Sequence, residues 1–290
     1  METIGYIAAL GSAASWAMGT VVFEKIGKTV PFAGITFLKG LLSIVLLGTL
    51  TLCMEGLTSV NIHDFGILAL SGIIGIAIGD TLFFRSLQDL GAKVQVLFFM
   101  LGQIVTMLLS FMFLGDVLSI NDYIGGVILL SGVIVVIYGK QEDHPNKRRG
   151  IIGGVLSILC FSVSSVMIKL AIGDIDVISA TFYRMALGTI AIMFVGFTSK
   201  SFVSWIRPLR DIKLLGLFFL NVIIITFGGF VLSMLAIKNI SVSMASILST
   251  TEPVFVLIFA WLVSRDKVTI REIIGASITI VGLIIIILHD

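Results

Sequence analysis

Four charged residues stand inside stretches otherwise built of apolar residues: Lys39, Asp80, Arg184 and Glu252. A charge at the centre of a membrane helix costs about 2.5–3.5 kcal/mol on an insertion scale, so each must be paired, hydrated in a cavity or used. Lys39 lies roughly six residues into its apolar run, or ~9 Å of helical rise, and Asp80 sits at a similar depth from the same side. Equal depth predicts a Lys39–Asp80 ion pair in which each charge offsets part of the other's desolvation. Arg184 lies at a matching depth from the opposite face, and Glu252 is the deep acid available to it. This chemistry suits moving a charged solute. Lys39 and Arg184 would contact a substrate carboxylate or phosphate, while Asp80 and Glu252 would act as counter-ions or as proton-binding groups that couple movement to a gradient. The competing role for each is structural pairing that fixes how helices pack. Arg85, close to a helix end, fits a snorkelling anchor.

Around these charges, Trp16, Phe161, Tyr183, Gln103 and Asn221 are candidates for a cavity wall, offering aromatic faces and amide hydrogen bonds. Small residues gather in two places, Gly11-Ser12-Ala13-Ala14-Ser15 with Gly19, and Gly72, Gly75 and Gly79. They permit close backbone approach between helices.

The elements that position these residues can be read from composition. The chain has 290 residues, 58% hydrophobic and 12% charged, with a mean hydropathy of +1.15. That composition excludes a soluble catalytic head, a nucleic-acid-binding module and a secreted disulfide scaffold. Cys53 and Cys160 fall in apolar stretches without CxxC or Cys/His partners and read as small apolar residues. A span needs about 20 apolar residues. Polar breaks then divide the chain into ten helices, roughly 4–23, 33–53, 65–86, 94–115, 122–139, 151–171, 178–197, 212–236, 242–263 and 271–288. Glu2, rather than a basic residue, precedes the first span, which therefore reads as a retained helix and not a cleaved signal.

Alternate loops fall on opposite sides of the membrane. Of the 19 Lys and Arg residues, 15 belong to the side of the odd-numbered loops, among them Lys25, Lys28, Arg85, Arg148, Arg149 and Lys213, while Lys169 and Lys238 belong to the other. Positively charged loops stay in the cytoplasm, so the bias puts the midpoint linker inside and both termini outside.

The second half of the chain overlays the first at constant offsets. At offset 145, Gly5 falls on Gly150, Trp16 on Phe161, Phe37 on Phe182 and Lys39 on Arg184. At offset 150, Gly79 falls on Gly229, Asp116 on Asp266, Gly125 on Gly275 and Gly132 on Gly282. The extra five residues are accommodated in the longer loop around 201–208. The counterpart of Asp80 is Phe230, so each half would carry one base on its second helix and draw its acid from a different helix. Five spans per half is an odd number, so the halves enter the membrane from opposite sides. The expected architecture is an all-α membrane protein of ten transmembrane helices in two inverted five-helix repeats. The first repeat would span 1–139, the second 150–290, with a polar linker at 140–149. Inverted repeats are the architecture of many secondary transporters, with the substrate near the midplane between the halves.

The segment Gly79-Asp80-Thr81-Leu82-Phe83-Phe84-Arg85-Ser86-Leu87, with Leu114-Gly115-Asp116 and Gly125-Gly126 further along, resembles the signature of EamA-type transporters of the drug/metabolite transporter superfamily. The second-half segment Ser246-Ile247-Leu248-Ser249-Thr250-Thr251-Glu252-Pro253-Val254-Phe255, with Ala260-Trp261-Leu262, Asp266 and Gly275, resembles the family's ninth helix and the loop and helix after it. The resemblance covers the whole chain. It implies transport of amino acids, sugars, nucleotide-related metabolites or drugs without ATP, a cavity lined by helices one to four and six to nine, and peripheral fifth and tenth helices. Two departures stand out. Gln103 replaces the proline that matches Pro253, which predicts a straighter fourth helix, and Asp116 and Asp266 stand where the family has Glu. The family's usual placement of both termini in the cytoplasm also runs against the charge count.

The expected function is therefore a secondary transporter, exporter or exchanger, of small metabolites, first among them amino acids or similar zwitterions, because deep bases and acids together suit a solute bearing both charges. The expected localisation is that of a multi-pass protein of the plasma (inner) membrane. Its partners would be a small-molecule substrate, the lipid bilayer and protons, without nucleic acid, and the protein would be a monomer or homodimer. No catalytic residue, metal or cofactor is expected. Ala77-Ile78-Gly79-Asp80 approaches the GxGD of intramembrane aspartyl proteases, but Ala77 replaces the first Gly and no second deep Asp accompanies it. No HExxH or GxxxxGK[ST] occurs either. The alternatives are an intramembrane enzyme and a scaffold or receptor that does not transport.

Overall fold

A computed structural model of the chain describes residues 2–53, 56–137, 146–264 and 269–288. Among these residues the chain is all helical. In chain order the helices are α1 (Glu2–Ile26), α2 (Phe32–Cys53), α3 (Ile62–Gly72), α4 (Thr81–Leu114), α5 (Ile120–Ile137), α6 (Lys147–Ile172), α7 (Val177–Thr198), α8 (Phe202–Ile206), α9 (Ile212–Ile223), α10 (Leu232–Asn239), α11 (Val242–Ser249), α12 (Glu252–Ser264) and α13 (Ile270–Leu288). Among the described residues, seven helical stretches are long and apolar enough to cross a membrane, and Phe98–Leu114 and Ile273–Ile286 are shorter apolar helices. Large apolar side chains such as Leu52, Met112, Val127, Phe194 and Leu220 point outward. A surface this apolar fits a lipid solvent and not water.

The breaks between spans differ from the expected loops in three places. No loop separates the expected third and fourth spans: helical pairing runs through α4, broken at Gly91, whose φ of 76° and ψ of 169° only glycine adopts readily. The region 201–208 is not an open loop but holds α8 and a 3-10 turn, Arg207–Arg210, anchored by buried Trp205. The ninth span is interrupted at Thr250-Thr251, between α11 and α12. Pro253 lacks the N–H that would reach the Ser249 carbonyl one turn back, which accounts for that interruption. Its counterpart Gln103 lies in an unbroken part of α4.

Two eight-residue π-helical segments, Ile73–Asp80 and Ile224–Val231, join α3 to α4 and α9 to α10. Such widened turns recur at functional sites. Each brings a glycine against an aromatic ring: a Cβ on Gly79 would lie 2.9 Å from Phe161, and one on Gly229 would lie 3.3 Å from Trp16. Residues that align at the sequence offsets thus exchange partners, Trp16 aligning with Phe161 and Gly79 with Gly229. The same exchange recurs where α5 lies along α13. Gly125 closes on the Gly282 carbonyl and Gly132 on the Gly275 carbonyl, with virtual Cβ distances of 2.9 and 2.6 Å. It recurs again at the helix ends, where Gln88 Nε2 donates to the Val30 carbonyl at 2.9 Å and Lys238 Nζ to the Ile175 carbonyl at 2.6 Å.

Asp116 gains a role from the fold. Gly115, at φ 69°, ends α4 in the left-handed conformation. The Asp116 carboxylate then accepts from the Ser110 hydroxyl and, at 3.1 Å, from the Ser243 amide in the first turn of α11. It therefore ties the end of one span to the start of another. Asp266 lies outside the described residues.

Asp176 caps α7, accepting from the Ile178 and Ser179 amides at 3.0 and 2.8 Å and from the Thr58 hydroxyl. Burial on its own raises this carboxyl. The hydrogen bonds from Ser179, Thr58 and the two amides outweigh burial and hold it below the usual carboxylate range. A lowered folded-state value means that the cap's contribution is full above the ordinary Asp range, about pH 4, and is lost as pH falls through the folded value. Asp176→Ala is expected to lower the melting temperature in detergent at neutral pH, through a loss of about 1 kcal/mol. The gap between mutant and wild type should narrow in acid. An equal gap at pH 7 and pH 3 would show that the cap does not act through its charge.

Candidate functional site

The sequence places four charges deep in apolar stretches, and the fold brings three of them to the wall of a cavity of about 140 Å³. Asp80, Arg184 and Glu252 line it, with Trp16, Phe161 and Gln103 from the expected wall. Lys39, Tyr183 and Asn221 do not.

Lys39 is fully enclosed, with side-chain exposure of 0%, against 1% for its ion-pair partner Asp80. The expected pairing is thus present, but the ammonium does not reach the cavity. It sits beneath aromatic rings, with Nζ 4.5 Å from the centroid of Phe230, 5.5 Å from Phe84 and 5.9 Å from Trp16. Their negative faces add to the attraction from Asp80. Lys39, expected to contact the substrate, thus lies off the cavity lining. Equal helical depth makes the pair, but the rotation of α2 turns Lys39 behind the wall.

Asp80 stands at the end of the first π-helical segment. One carboxylate oxygen takes the Lys39 proton donor. The other, Oδ1, is buried without a hydrogen-bond partner. Nearby, Arg184 Nε donates to Ser71 Oγ and Arg184 Nη2 to Ser164 Oγ, each at 2.9 Å, and Ser164 Oγ donates onward to the Ser71 carbonyl at 2.9 Å. Two of the five guanidinium N–H donors are thus held by serines and fix the direction of the fork. Among the described residues Arg184 forms no ion pair, neither with Glu252, the expected acid, nor with Asp80. The serines thus hold one edge of the guanidinium, and Asp80 is paired with Lys39.

Glu252 opens α12 immediately after the Thr250-Thr251 interruption, so the positive end of the helix dipole lies beneath its carboxylate. It is 3% exposed, and Oε2 has no hydrogen-bond partner. The residue lines the cavity, and a buried carboxylate oxygen left unpartnered is uncommon in a folded protein.

The aromatic wall has two parts. Trp16 meets Phe230 edge-on with centroids 4.9 Å apart, and Phe161 meets Phe83 at 6.1 Å. Tyr183 instead turns away, its hydroxyl donating to the Thr58 carbonyl at 2.9 Å and its ring against Phe65. Asn221 Nδ2 donates to the Gly19 carbonyl at 3.3 Å and ties α9 to α1.

Ser71, Ser164, Ser246, Phe83 and Phe230 are not among the site residues expected from sequence. A signal was available in the run Ser162-Val163-Ser164-Ser165 inside an apolar span. Hydroxyls facing away from lipid must find partners in neighbouring helices. Ser162, for example, receives the Thr106 hydroxyl at 2.9 Å.

Known proteins share this arrangement of spans. The family model for the EamA-like transporter family matches residues 3–138 and 148–288. An uncharacterized transporter of Archaeoglobus fulgidus is 23% identical over 279 residues, covering 96% of each chain. Uncharacterized transporters of Methanothermobacter thermautotrophicus and of Synechocystis sp. are 21% and 23% identical, each match covering 77% of this chain and 65% of the relative. A crystal structure of a protein 15% identical in sequence superposes with a TM-score of 0.71, over 100% of this chain and 98% of that one, which shows a shared fold.

Proposed function

Because the chain belongs to the EamA-like transporter family, and is thus a multi-pass membrane transporter, we propose that it is a secondary transporter of small zwitterions, amino acids or close relatives, across the plasma membrane. The observation that carries this reading is the charge arrangement of the cavity. Arg184 offers a guanidinium with donors to spare, while Asp80 Oδ1 and Glu252 Oε2 are carboxylate oxygens without partners. A solute bearing one carboxylate and one ammonium answers both needs at once. The Trp16 and Phe161 rings supply the apolar remainder.

Alternating access between two inverted repeats, 1–139 and 150–290 with the 140–149 linker between them, is the mechanism this reading adopts. Its support is the exchange of equivalent partners: Gly79 with Phe161 and Gly229 with Trp16, Gly125 with Gly282 and Gly132 with Gly275. Equivalent residues trade partners in this way across a two-fold axis. Since α5 and α13 are equivalent helices, that axis would lie in the membrane plane. The substrate would then sit near the axis, and the halves would rock about it. One chain holds a whole cavity, which suits a monomer or a homodimer of complete pathways.

The orientation with both termini outside keeps its support from the basic loops. The two lysines of the opposite side are committed to backbone carbonyls, Lys169 to Ile237 and Ile240 at 2.6 and 2.7 Å and Lys238 to Ile175.

The test is thermal stabilisation of the purified protein by amino acids, and then uptake into proteoliposomes with and without a pH gradient. Stabilisation by an amino acid, but not by the corresponding amine or acid alone, is the expected result. Arg184→Gln should raise the half-saturating concentration about ten- to hundredfold, the worth of one charge-assisted hydrogen-bonded contact. Binding without uptake would mark a receptor or scaffold and overturn the reading.

A further inference from the structure

Away from the cavity, a groove of about 440 Å³ lies between the beginnings of α4 and α6. Its wall divides by chemistry. Arg85, Arg148 and Arg149 lie at one end, and Leu82, Ile152 and Leu156 at the other. The division comes from the two helices running in opposite directions. Along α6 the chain passes from Arg148 and Arg149 to Ile152 and Leu156, one and two turns deeper on the same face. Along α4 it passes from Leu82 to Arg85, one turn in the reverse direction. Ile152 and Leu156 are 51% and 44% exposed, which in a membrane means turned to acyl chains.

Among the described residues, one acid, Asp89, pairs with the arginines of the basic end. The start of a helix already bears partial positive charge and favours anions, yet Lys147, Arg148 and Arg149 occupy the first turn of α6. Asp89 answers Arg149 with two hydrogen bonds, one at 2.7 Å from Nε. Arg148 remains exposed. Arg85 Nε is enclosed without a hydrogen-bond partner, and its guanidinium lies 5.8 Å from the Phe32 ring centroid. An unsatisfied guanidinium N–H beside an exposed arginine and an aliphatic trough calls for an anion with a hydrocarbon tail.

We propose that this groove binds an anionic phospholipid, its phosphate between Arg85 and Arg148 and an acyl chain along Leu82, Ile152 and Leu156. The aliphatic floor distinguishes a lipid from a free phosphate, which would gain nothing from it. The site lies on the side with the excess of basic residues, where anionic headgroups attract juxtamembrane arginines. Because Arg149 and Asp89 join α6 to α4 at the same place, a lipid there would brace the contact between the two proposed repeats.

Native mass spectrometry of the detergent-solubilised protein, titrated with phosphatidylglycerol or phosphatidylcholine, tests the proposal. Retention of phosphatidylglycerol over phosphatidylcholine is expected. Arg85→Gln and Arg148→Gln should each weaken phosphatidylglycerol binding about fivefold, the worth of one arginine near an anionic surface. Lys213→Gln, on the same side but outside the groove, should leave it unchanged. Equal binding of the two lipids would overturn the proposal, as would an equal loss in Lys213→Gln, which would mark diffuse surface charge. Displacement of the lipid by inorganic phosphate would identify a soluble anion as the ligand and overturn it too. Arg148 is exposed, so Arg148→Gln decides the matter even if Arg85→Gln does not fold.

Discussion

Asp80→Asn is expected to abolish uptake and to lower the melting temperature more than any other single change at the cavity. The substitution preserves shape but leaves the Lys39 ammonium enclosed without its counter-charge, since Lys39 is 0% exposed. Removing one partner of a buried ion pair costs about 3–5 kcal/mol, because an uncompensated charge stays behind. Aromatic rings around Lys39 recover only part of this, at roughly 2 kcal/mol for a desolvated contact. Replacing both partners separates structure from function. Lys39→Met with Asp80→Leu should regain most of the lost melting temperature, since apolar replacement of a buried pair is often neutral or stabilising, yet it should not restore uptake, because it removes a carboxylate from a residue that lines the cavity. Melting in detergent and uptake into proteoliposomes read the two effects independently. Normal uptake by the double variant would reduce the pair to a packing device.

Glu252→Gln should behave in the opposite way. Its Oε2 has no partner to lose and the side chain lines the cavity, so the amide should fold and melt close to wild type. What changes is charge. If Glu252 takes the proton-binding role, one of the two roles expected for it, uptake driven by a pH gradient should fall to the level reached without a gradient. Exchange of labelled for unlabelled substrate should continue. Loss of exchange together with uptake would instead make Glu252 the counter-ion of the substrate ammonium. Uptake that still responds to the gradient would assign coupling to another group, with Asp80 the remaining carboxylate on the cavity wall.

The contrast between these carboxylates also marks how far the site could be read from sequence. Lys39 and Asp80 could be paired from depth alone, since in lipid an unpaired charge is too costly to leave to chance. The partners of Arg184 could not. Ser71 and Ser164 are neutral, lie on different helices and are ordinary members of small-residue stretches, so nothing in their spacing announces a guanidinium clamp. Tyr183 neighbours Arg184 in sequence but points elsewhere, because adjacent residues on a helix diverge by about 100° around its axis. The interruption before Glu252 was legible through Pro253, whose missing N–H acts locally. The π-helical segments were not, because the glycines of Ile73–Asp80 are compatible with an ordinary α-helix until Phe161 packs against one of them.

Solvent, helical class and family are written in the amino-acid sequence alone. Hydrophobic content, run length and charge bias act through transfer from water to lipid, which each residue undergoes almost independently of its distant neighbours. Which deep charges meet the cavity is a matter of tertiary packing. It set Lys39 behind the wall and Arg184 on it, although the two align at offset 145 in the sequence. Depth along a helix is a one-dimensional property of sequence. Rotation about its axis is set by close packing at contacts far apart in the chain, such as Ser12 with the Gly229 carbonyl at 2.9 Å and Ser43 with Thr226 at 2.7 Å.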